Sequence, residues 1–212
     1  MMVRPKTVPK ATVFRLSLYL RQLELMRRDG RETVASRELG HALGLTDAQV
    51  RKDLACFGQF GTRGVGYRVG ALIRHLKEIL GTDRERNVVV LGAGNLGRAL
   101  SAYRGFRSQG FKIVALFDNS PEKIGSAAGD LFIQPMEQLP ETVSRCDARI
   151  ALVCVPAAAA QSVVDLAVRA GIRGLLNFAP VSLEVPQAAV EVSEDVAVRL
   201  EQLSFQMRSL AP

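Results

Sequence analysis

The sequence predicts an α/β chain in two domains: a small helical module carrying a glycine-rich hairpin, then a doubly wound parallel sheet, with one more helix at the C-terminus. Three observations predict it. Apolar residues recur at helical spacing through the first 80 residues and give way to a polar run, TDRERN. The apolar burst VVVLG then opens an alternation of strand-like and helix-like stretches. Finally, Val196, Leu200, Leu203, Met207 and Leu210 recur at heptad-like spacing near the end. The predicted divisions are 1–80, 81–193 and 194–212.

Composition excludes several classes. The 212 residues are 48% hydrophobic, 23% charged and 6% aromatic, which is ordinary globular usage. The longest apolar stretch, Ile150 to Val164, is broken by Pro156 and Gln161 and stays short of the roughly 18 apolar residues a membrane span needs. MMVRPKTVPK leads into no apolar signal-peptide core, so a cytoplasmic protein is expected. Cys56, Cys146 and Cys154 are odd in number, far apart and in no CxxC pair, so neither a disulfide framework nor a metal site is expected. Charge is uneven: residues 1–80 hold 15 Lys and Arg against 7 Asp and Glu, net +8, and the remainder is net −1. A compact basic module of that kind points to a polyanionic partner.

Within that module, Val13, Leu16, Leu20 and Leu23 define a core helix of about 15 residues closed by the Asp29-Gly30 turn. A short helix with Ser36 as N-cap buries Leu39 and Leu43 and ends at Gly44. Thr46-Asp47-Ala48-Gln49 then has the form of a capping box, opening a helix with Val50, Leu54 and Phe57 on one face. Two helices joined by so short a turn form a helix-turn-helix, predicted over about 15–58. Gln49, Arg51 and Lys52 lie in the first half of its second helix, where side chains suited to base edges belong. The stretch FGQFGTRGVGYRV, with glycines at 58, 61, 64 and 66, is a tight hairpin over about 59–69. Arg63, beside Gly64, is at its tip, and Tyr67 and Arg68 are on its return strand. Such a hairpin is the wing of a winged helix-turn-helix, and an arginine at its tip suits a narrow minor groove of double-stranded DNA.

In the second domain, NVVVLGAGNLGRAL sends a buried strand into Gly92-Ala93-Gly94-Asn95-Leu96-Gly97 and a helix. Gly92 makes the tight turn, Gly94 admits a pyrophosphate, and Gly97 lets helix and strand pack closely. FKIVALFD, a second strand, ends in Asp118, 21 residues beyond Gly97, where a carboxylate binds the adenine ribose of NAD and repels the 2′-phosphate of NADP. This is a Rossmann-like sheet binding NADH or NAD, with coenzyme A as the alternative ligand. ARIALVCVP and IRGLLNF read as further parallel strands around a helix, Ala157 to Ala170. Their ends place Val155, Pro156, Asn177 and Phe178 on the nicotinamide side.

An oxidoreductase needs an acid–base group near the nicotinamide; this domain holds one tyrosine, Tyr103, and two lysines, Lys112 and Lys123, and of these only Tyr103 suits a proton donor. A dinucleotide site without chemistry, attached to a DNA-binding module, reads as a sensor and not an enzyme. A small NAD-dependent oxidoreductase, a coenzyme A-binding regulator and a DNA-binding protein with a vestigial nucleotide fold are the alternatives. The terminal stripe needs a partner surface, and exchange of this helix in a homodimer would supply one.

QVRKDLACFGQFGTRGVGY, VVVLGAGNLGRAL, LFDNSPEKIG and LLNFAPVSLEVP together resemble the redox-sensing transcriptional repressor family Rex, from Val13 to Met207. The resemblance implies a homodimer with winged helices and Rossmann domains and a swapped terminal helix. It implies binding to a pseudo-palindromic operator when NADH is scarce, and release on NADH binding. It also implies that Arg51 and Lys52 read the major groove, that Arg63 is the wing contact, and that Arg21, Tyr103 and Asp195 form a switch. Val196 departs from relatives that can place an aromatic ring there.

Overall fold

A computed structural model describes residues 8–62 and 64–208, so Arg63 and Leu210 lie outside the described residues. The chain divides into two compact units, Met1–Arg84 and Glu85–Pro212.

In the first unit, α1 (Lys10–Arg28), β1 (Thr33–Val34), α2 (Ser36–His41), α3 (Asp47–Ala55), β2 (Gly61–Thr62), β3 (Gly66–Arg68) and α4 (Val69–Leu80) follow in order. The three short strands form an antiparallel sheet, β1-β3-β2, so the glycine-rich segment is a hairpin beside a helical cluster. Leu16, Tyr19, Leu20 and Leu23 of α1 bury against Leu72, Ile73 and Leu76 of α4 and Val50 and Leu54 of α3. Val13, expected in that core, is 41% exposed, and the inward position on its turn belongs to Thr12. The reason is a buried carboxylate: Asp53 of α3 is 2% exposed and faces α1 there.

The α2–α3 turn is tight because Gly40 has no side chain. A Cβ there would stand 2.7 Å from the Leu45 carbonyl, which follows the left-handed Gly44. Ser36 is the first helical residue and not the N-cap, because Glu38 accepts from the Ala35 amide at 2.8 Å and starts α2 one residue early. Thr46 caps α3 by accepting from the Gln49 amide at 3.1 Å. The Gln49 side chain does not complete the capping box; it donates to Asp53 Oδ1 at 2.8 Å.

In the second unit, β4 (Arg86–Leu91), α5 (Asn95–Ala102), α6 (Gly105–Ser108), β5 (Phe111–Asp118), β6 (Ala127–Ala128), β7 (Leu131–Pro135), α7 (Leu139–Arg145), β8 (Ile150–Val153), α8 (Ala157–Ala170), β9 (Gly174–Asn177), β10 (Val190–Ser193) and α9 (Val196–Met207) make the sheet and its helices. The strand order is β10-β9-β8-β4-β5-β7-β6, parallel except for the β6–β7 pair. Both faces of β4 are buried, which accounts for its unbroken apolar run. Val89 and Leu91 pack with Phe117, Leu139, Val163 and Val164, while Val88 and Val90 pack with Leu116, Ile133 and Leu152. The chain leaves β4 toward β5 and β7, then returns beside β4 as β8, so β4 and β8 flank the point where the order reverses. Beyond the C-terminal ends of these two strands is the crevice where such sheets bind ligands. No helix of the described residues is long and apolar enough to cross a membrane.

Asp53 ties the first unit together. Its carboxylate accepts from Arg15 Nε at 2.6 Å and Nη2 at 2.8 Å, Tyr19 Oη at 2.8 Å, Gln49 Nε2 at 2.8 Å and Thr12 Oγ1 at 3.4 Å. Burial alone would raise its pKa, but the donors from Arg15, Tyr19 and Gln49 outweigh burial and hold it below the ordinary carboxylate value. Burial and the bond to Asp53 push the Tyr19 phenol upward. A carboxyl depressed on folding contributes stability that is full above its unfolded pKa of about 3.9 and is lost as pH falls through the folded value. Asp53→Asn should therefore cost about 3 kcal/mol in the urea unfolding of the first unit, because it leaves Arg15 unpaired. It should also flatten the acid limb of stability below about pH 4. An unchanged acid limb would show that Asp53 is not the group being titrated.

Candidate nucleotide site and nucleic-acid interface

The turn after β4 is built by three glycines in three environments. Gly92 has φ +102°, and a Cβ on it would stand 2.5 Å from the Cys154 carbonyl at the end of β8. A Cβ on Gly97 would collide with the Gly92 carbonyl, so α5 can lie against β4 only at a glycine. Gly94, the N-cap of α5, has nothing within 4 Å of where a Cβ would be. Its open side faces the first turn of an eight-residue helix, whose Asn95 and Leu96 are exposed. Amides at the start of a helix have no intrahelical acceptor and suit an anion.

Two groups hold this turn in shape. Asp118 Oδ2, at the end of β5, accepts from the Ala93 amide at 2.7 Å, and Oδ1 accepts from the Ser120 amide at 2.8 Å. Arg98 donates from Nε to the Ala93 carbonyl at 3.3 Å and reaches the Ala127 carbonyl and Ser126 Oγ with its other nitrogens. Burial would raise the Asp118 pKa, but the two amides and Lys123 hold it below the ordinary value. Asp118 is not the lone charge that the sequence suggests: Lys123 Nζ is 3.1 Å from its Oδ2.

On the β8–β9 side, Val155 is half-buried, Pro156 is the exposed N-cap of α8, and Phe178 is half-buried against the second core cluster. Cys154 lies beside them, and burial pushes its thiol pKa up to about 12, which keeps it protonated and unreactive. Asn177 is fully buried and works on the backbone. Its Oδ1 accepts from the Ala179 amide at 2.9 Å, and its Nδ2 donates to the Val181 carbonyl, Glu191 Oε1 and Ser193 Oγ. It shapes the rim and does not face into the crevice. The residues suit a dinucleotide: an open glycine at a helix start, a carboxylate one strand away, and a rim beyond β8 and β9.

In the first unit, Arg51 and Lys52 are both exposed on α3. Arg51 Nη1 pairs with Asp47 Oδ2 at 2.6 Å and donates to Ser36 Oγ at 3.2 Å, whereas the Lys52 ammonium makes no ion pair among the described residues. Gln49, expected to face bases, is turned inward by the buried Asp53. Tyr67 is 9% exposed and packs into the core as the central strand's inward residue, away from the outer surface of the hairpin. Gly64 is exposed at φ +82°, and the Val65 amide bonds the Thr62 carbonyl at 3.1 Å across the tip. A cleft of about 570 Å³ runs between α3 and the hairpin, lined by Arg51, Ala55, Phe60, Thr62 and Gly64.

Of the three suggested switch residues, Arg21 is exposed on α1. Tyr103 is 60% exposed, its ring edge-on to Phe106 at 5.1 Å. Asp195 caps α9, its Oδ1 accepting from the Ala197 amide at 2.8 Å and the Val198 amide at 3.3 Å. Tyr103 and Asp195 share no hydrogen bond among the described residues. The positioning groups Asp53, Arg98 and Lys123 escape a motif reading, and only the buried polar spacing of Thr12, Arg15 and Tyr19 in the sequence hints at Asp53.

Comparison with known proteins places these features in a family. A profile for a CoA binding domain matches residues 83–181, and one for a putative DNA-binding protein N-terminus matches residues 7–55. The redox-sensing transcriptional repressor Rex of Carboxydothermus hydrogenoformans is 50% identical over 95% of this chain and 97% of its own length. That of Pelotomaculum thermopropionicum is 48% identical over 94% of each. The crystal structure of RSP in complex with β-NAD⁺ and operator DNA is similar at a TM-score of 0.91 and 34% identity, covering 97% of this chain and 94% of RSP. RSP in complex with β-NADH gives 0.85 at 33% identity, covering 97% and 96%. With the helix-turn-helix, the hairpin and the glycine turn all present in one chain, and half of all positions shared with a relative along nearly its full length, the chain belongs to the Rex family of redox-sensing transcriptional repressors.

Proposed function

We propose that this protein is a DNA-binding repressor that reads the NADH/NAD⁺ ratio: it binds a pseudo-palindromic operator as a homodimer and lets go when NADH occupies the second unit. The observation that carries the reading is the open side of Gly94 at the start of α5, with the Asp118 carboxylate fixed on the same turn. Gly92 to Gly97 hold the pyrophosphate, Asp118 meets the adenine ribose, and Pro156 and Phe178 border the nicotinamide. The nucleotide supplies the redox signal, and no group of the chain is needed to turn it over. Exposed Lys52 and Arg51, with Gly64 and with Arg63, which lies outside the described residues, make the DNA surface; Gln49 and Tyr67 support it from behind. Arg21, Tyr103 and Asp195 provide the alternative contacts through which nucleotide binding biases DNA binding.

The homodimer reading rests on two apolar surfaces in the second unit. Every residue of α9 is exposed, Leu200 at 61%, Leu203 at 52% and Met207 at 60%. Along the paired row Val90, Leu152, Leu176, Val192, exposure rises from fully buried at Val90 to 55% at Val192, so one sheet face is uncovered toward β10. A partner's α9 is the occupant of matching chemistry. Coenzyme A is the second reading, favoured by the profile match over residues 83–181.

Operator DNA at one fixed salt concentration should lose roughly 5- to 150-fold in affinity on saturation with NADH and much less with NAD⁺. Release by coenzyme A in place of NADH would favour the second reading, and release by nothing would sink both. Gly94→Ala should leave thermal stability unchanged and weaken NADH binding about tenfold, since its Cβ meets only the ligand. Gly97→Ala should instead lower the melting temperature, since its Cβ meets the Gly92 carbonyl. Leu203→Asp should shift the protein from dimer to monomer in sedimentation equilibrium; a mixed dimer population unaffected by the charge would place the interface elsewhere.

A further inference from the structure

The second unit has another cavity at the opposite edge of its sheet. It is a cleft of about 590 Å³, whose walls include Tyr103, Arg104, Phe106, Arg107, Phe111 and Lys112. Phe111 and Lys112 open β5, and Leu131, also on the wall, opens β7, so the cleft lies at the N-terminal ends of these parallel strands. Asp118 ends β5 seven residues beyond Phe111, roughly 20 Å away at the usual strand rise. Ligands of a doubly wound sheet bind beyond the C-terminal strand ends, so this cleft is no part of the dinucleotide crevice. It is also on the β5–β7 side of the strand order, away from the uncovered face toward β10.

Its charge departs from its surroundings. Residues 81–212 are net −1, yet the cleft gathers Arg104, Arg107 and Lys112 against one acid, Asp130. The Arg104 and Arg107 guanidiniums are exposed and make no hydrogen bond or ion pair among the described residues. Lys112 Nζ is 3.9 Å from Glu85 Oε1, the outer limit of an ion pair. The two arginines are three apart in helical backbone at α6, so their side chains leave it on the same side. The Ser108 hydroxyl closes that turn by donating to the Gly105 carbonyl at 2.8 Å. The Tyr103 ring lies over Gly105, where any Cβ would collide with it, and stands edge-on to Phe106 at 5.1 Å. It is nevertheless 60% exposed, so an aromatic surface is held open beside the cations. Guanidiniums that bind phosphate and a ring that stacks a base are the two parts of a nucleotide site. A phosphate monoester carries about −2 at neutral pH, which matches three cations less one acid.

We infer that this cleft is a second ligand site, for a nucleoside monophosphate: Arg104, Arg107 and Lys112 take the phosphate, and Tyr103 stacks the base. The test is calorimetric titration of the full-length protein, saturated with NADH, with adenosine 5′-monophosphate and with ribose 5-phosphate. The parent is compared with the double variant Arg104→Ser/Arg107→Ser and with Lys112→Met. The parent should bind the nucleotide at submillimolar concentration with NADH in place, and ribose 5-phosphate about tenfold less tightly for want of a base. The double variant should lose at least about tenfold for the nucleotide, and Lys112→Met a few-fold. Both should keep the parent's melting temperature and NADH affinity, because the arginine side chains bond nothing in the fold and Lys112 only a surface carboxylate. Nucleotide binding that NADH abolishes, that the double variant retains in full, or that ribose 5-phosphate equals would overturn the assignment. So would no binding at millimolar concentration. A parent that binds no NADH counts against the dinucleotide reading alone, since the loss in the double variant is then measured on the free protein.

Discussion

The second unit depends on one close approach, that of the α5 backbone to the end of β4. Gly97 lies against the Gly92 carbonyl, and Gly92 in turn lies against the Cys154 carbonyl just past β8, so three strand and helix ends meet within a space that admits no side chain. Because of it, α5 begins directly above the point where the strand order reverses. The amides of its first turn then look into the crevice and not into the sheet. A Cβ at 97 would push the helix away from the turn, and one at 92 would push the turn away from the end of β8; either would disturb the anion site. The apolar cores on both faces of β4 fix the two strands; the glycines decide how near the helix can come to them.

Much of this was legible because the constraint is local. NVVVLGAGNLGRAL contains the buried strand, the turn and the helix start in 14 consecutive residues, and FKIVALFD and ARIALVCVP show the same apolar runs. The regions that do not read well are those whose order comes from distant partners. LFIQP alternates poorly and becomes β7 by pairing with β5 on one side and β6 on the other, and LPETVSR, with a proline in its first turn, becomes α7 by burying Leu139, Thr142 and Val143. VEVS gives β10 through parallel pairing with β9 and leaves Val190 and Val192 exposed. In the first unit the periodicity placed Leu16, Leu20 and Leu23 correctly. It misplaced Val13 because the inward position on that turn is polar, and polar burial has no periodic signature.

The candidate site was legible to the same degree. Residue types predicted the glycine turn and the carboxylate after β5, but not how many donors already hold that carboxylate. Nor could spacing show that Gln49, in the right half of α3 for reading bases, is committed to Asp53, or that Tyr67 is the inward residue of its strand. Arg51 and Lys52 are neighbours in sequence and differ in state, one held by Asp47 and Ser36 and the other exposed without an ion pair among the described residues.

Asp53 and Asp118 show how the same chemistry is put to two uses. Both are shielded carboxylates, Asp53 on the buried face of α3 and Asp118 at the end of β5, and both are held in the ionised form by donors that outweigh burial. Asp53 accepts five hydrogen bonds from Thr12, Arg15, Tyr19 and Gln49, more than its four ideal acceptor positions, so nothing further can bind to it. Its role is to clamp α3 to α1 so that the opposite face of α3 is presented at a fixed angle. Asp118 accepts three, from Ala93, Ser120 and Lys123, and keeps one position open. A saturated carboxylate stiffens its surroundings, whereas one with a position left open both stiffens the turn and retains a contact for a ligand. The difference lies in the donor count and not in the residue type, which is why it becomes visible only once the side chains are in place.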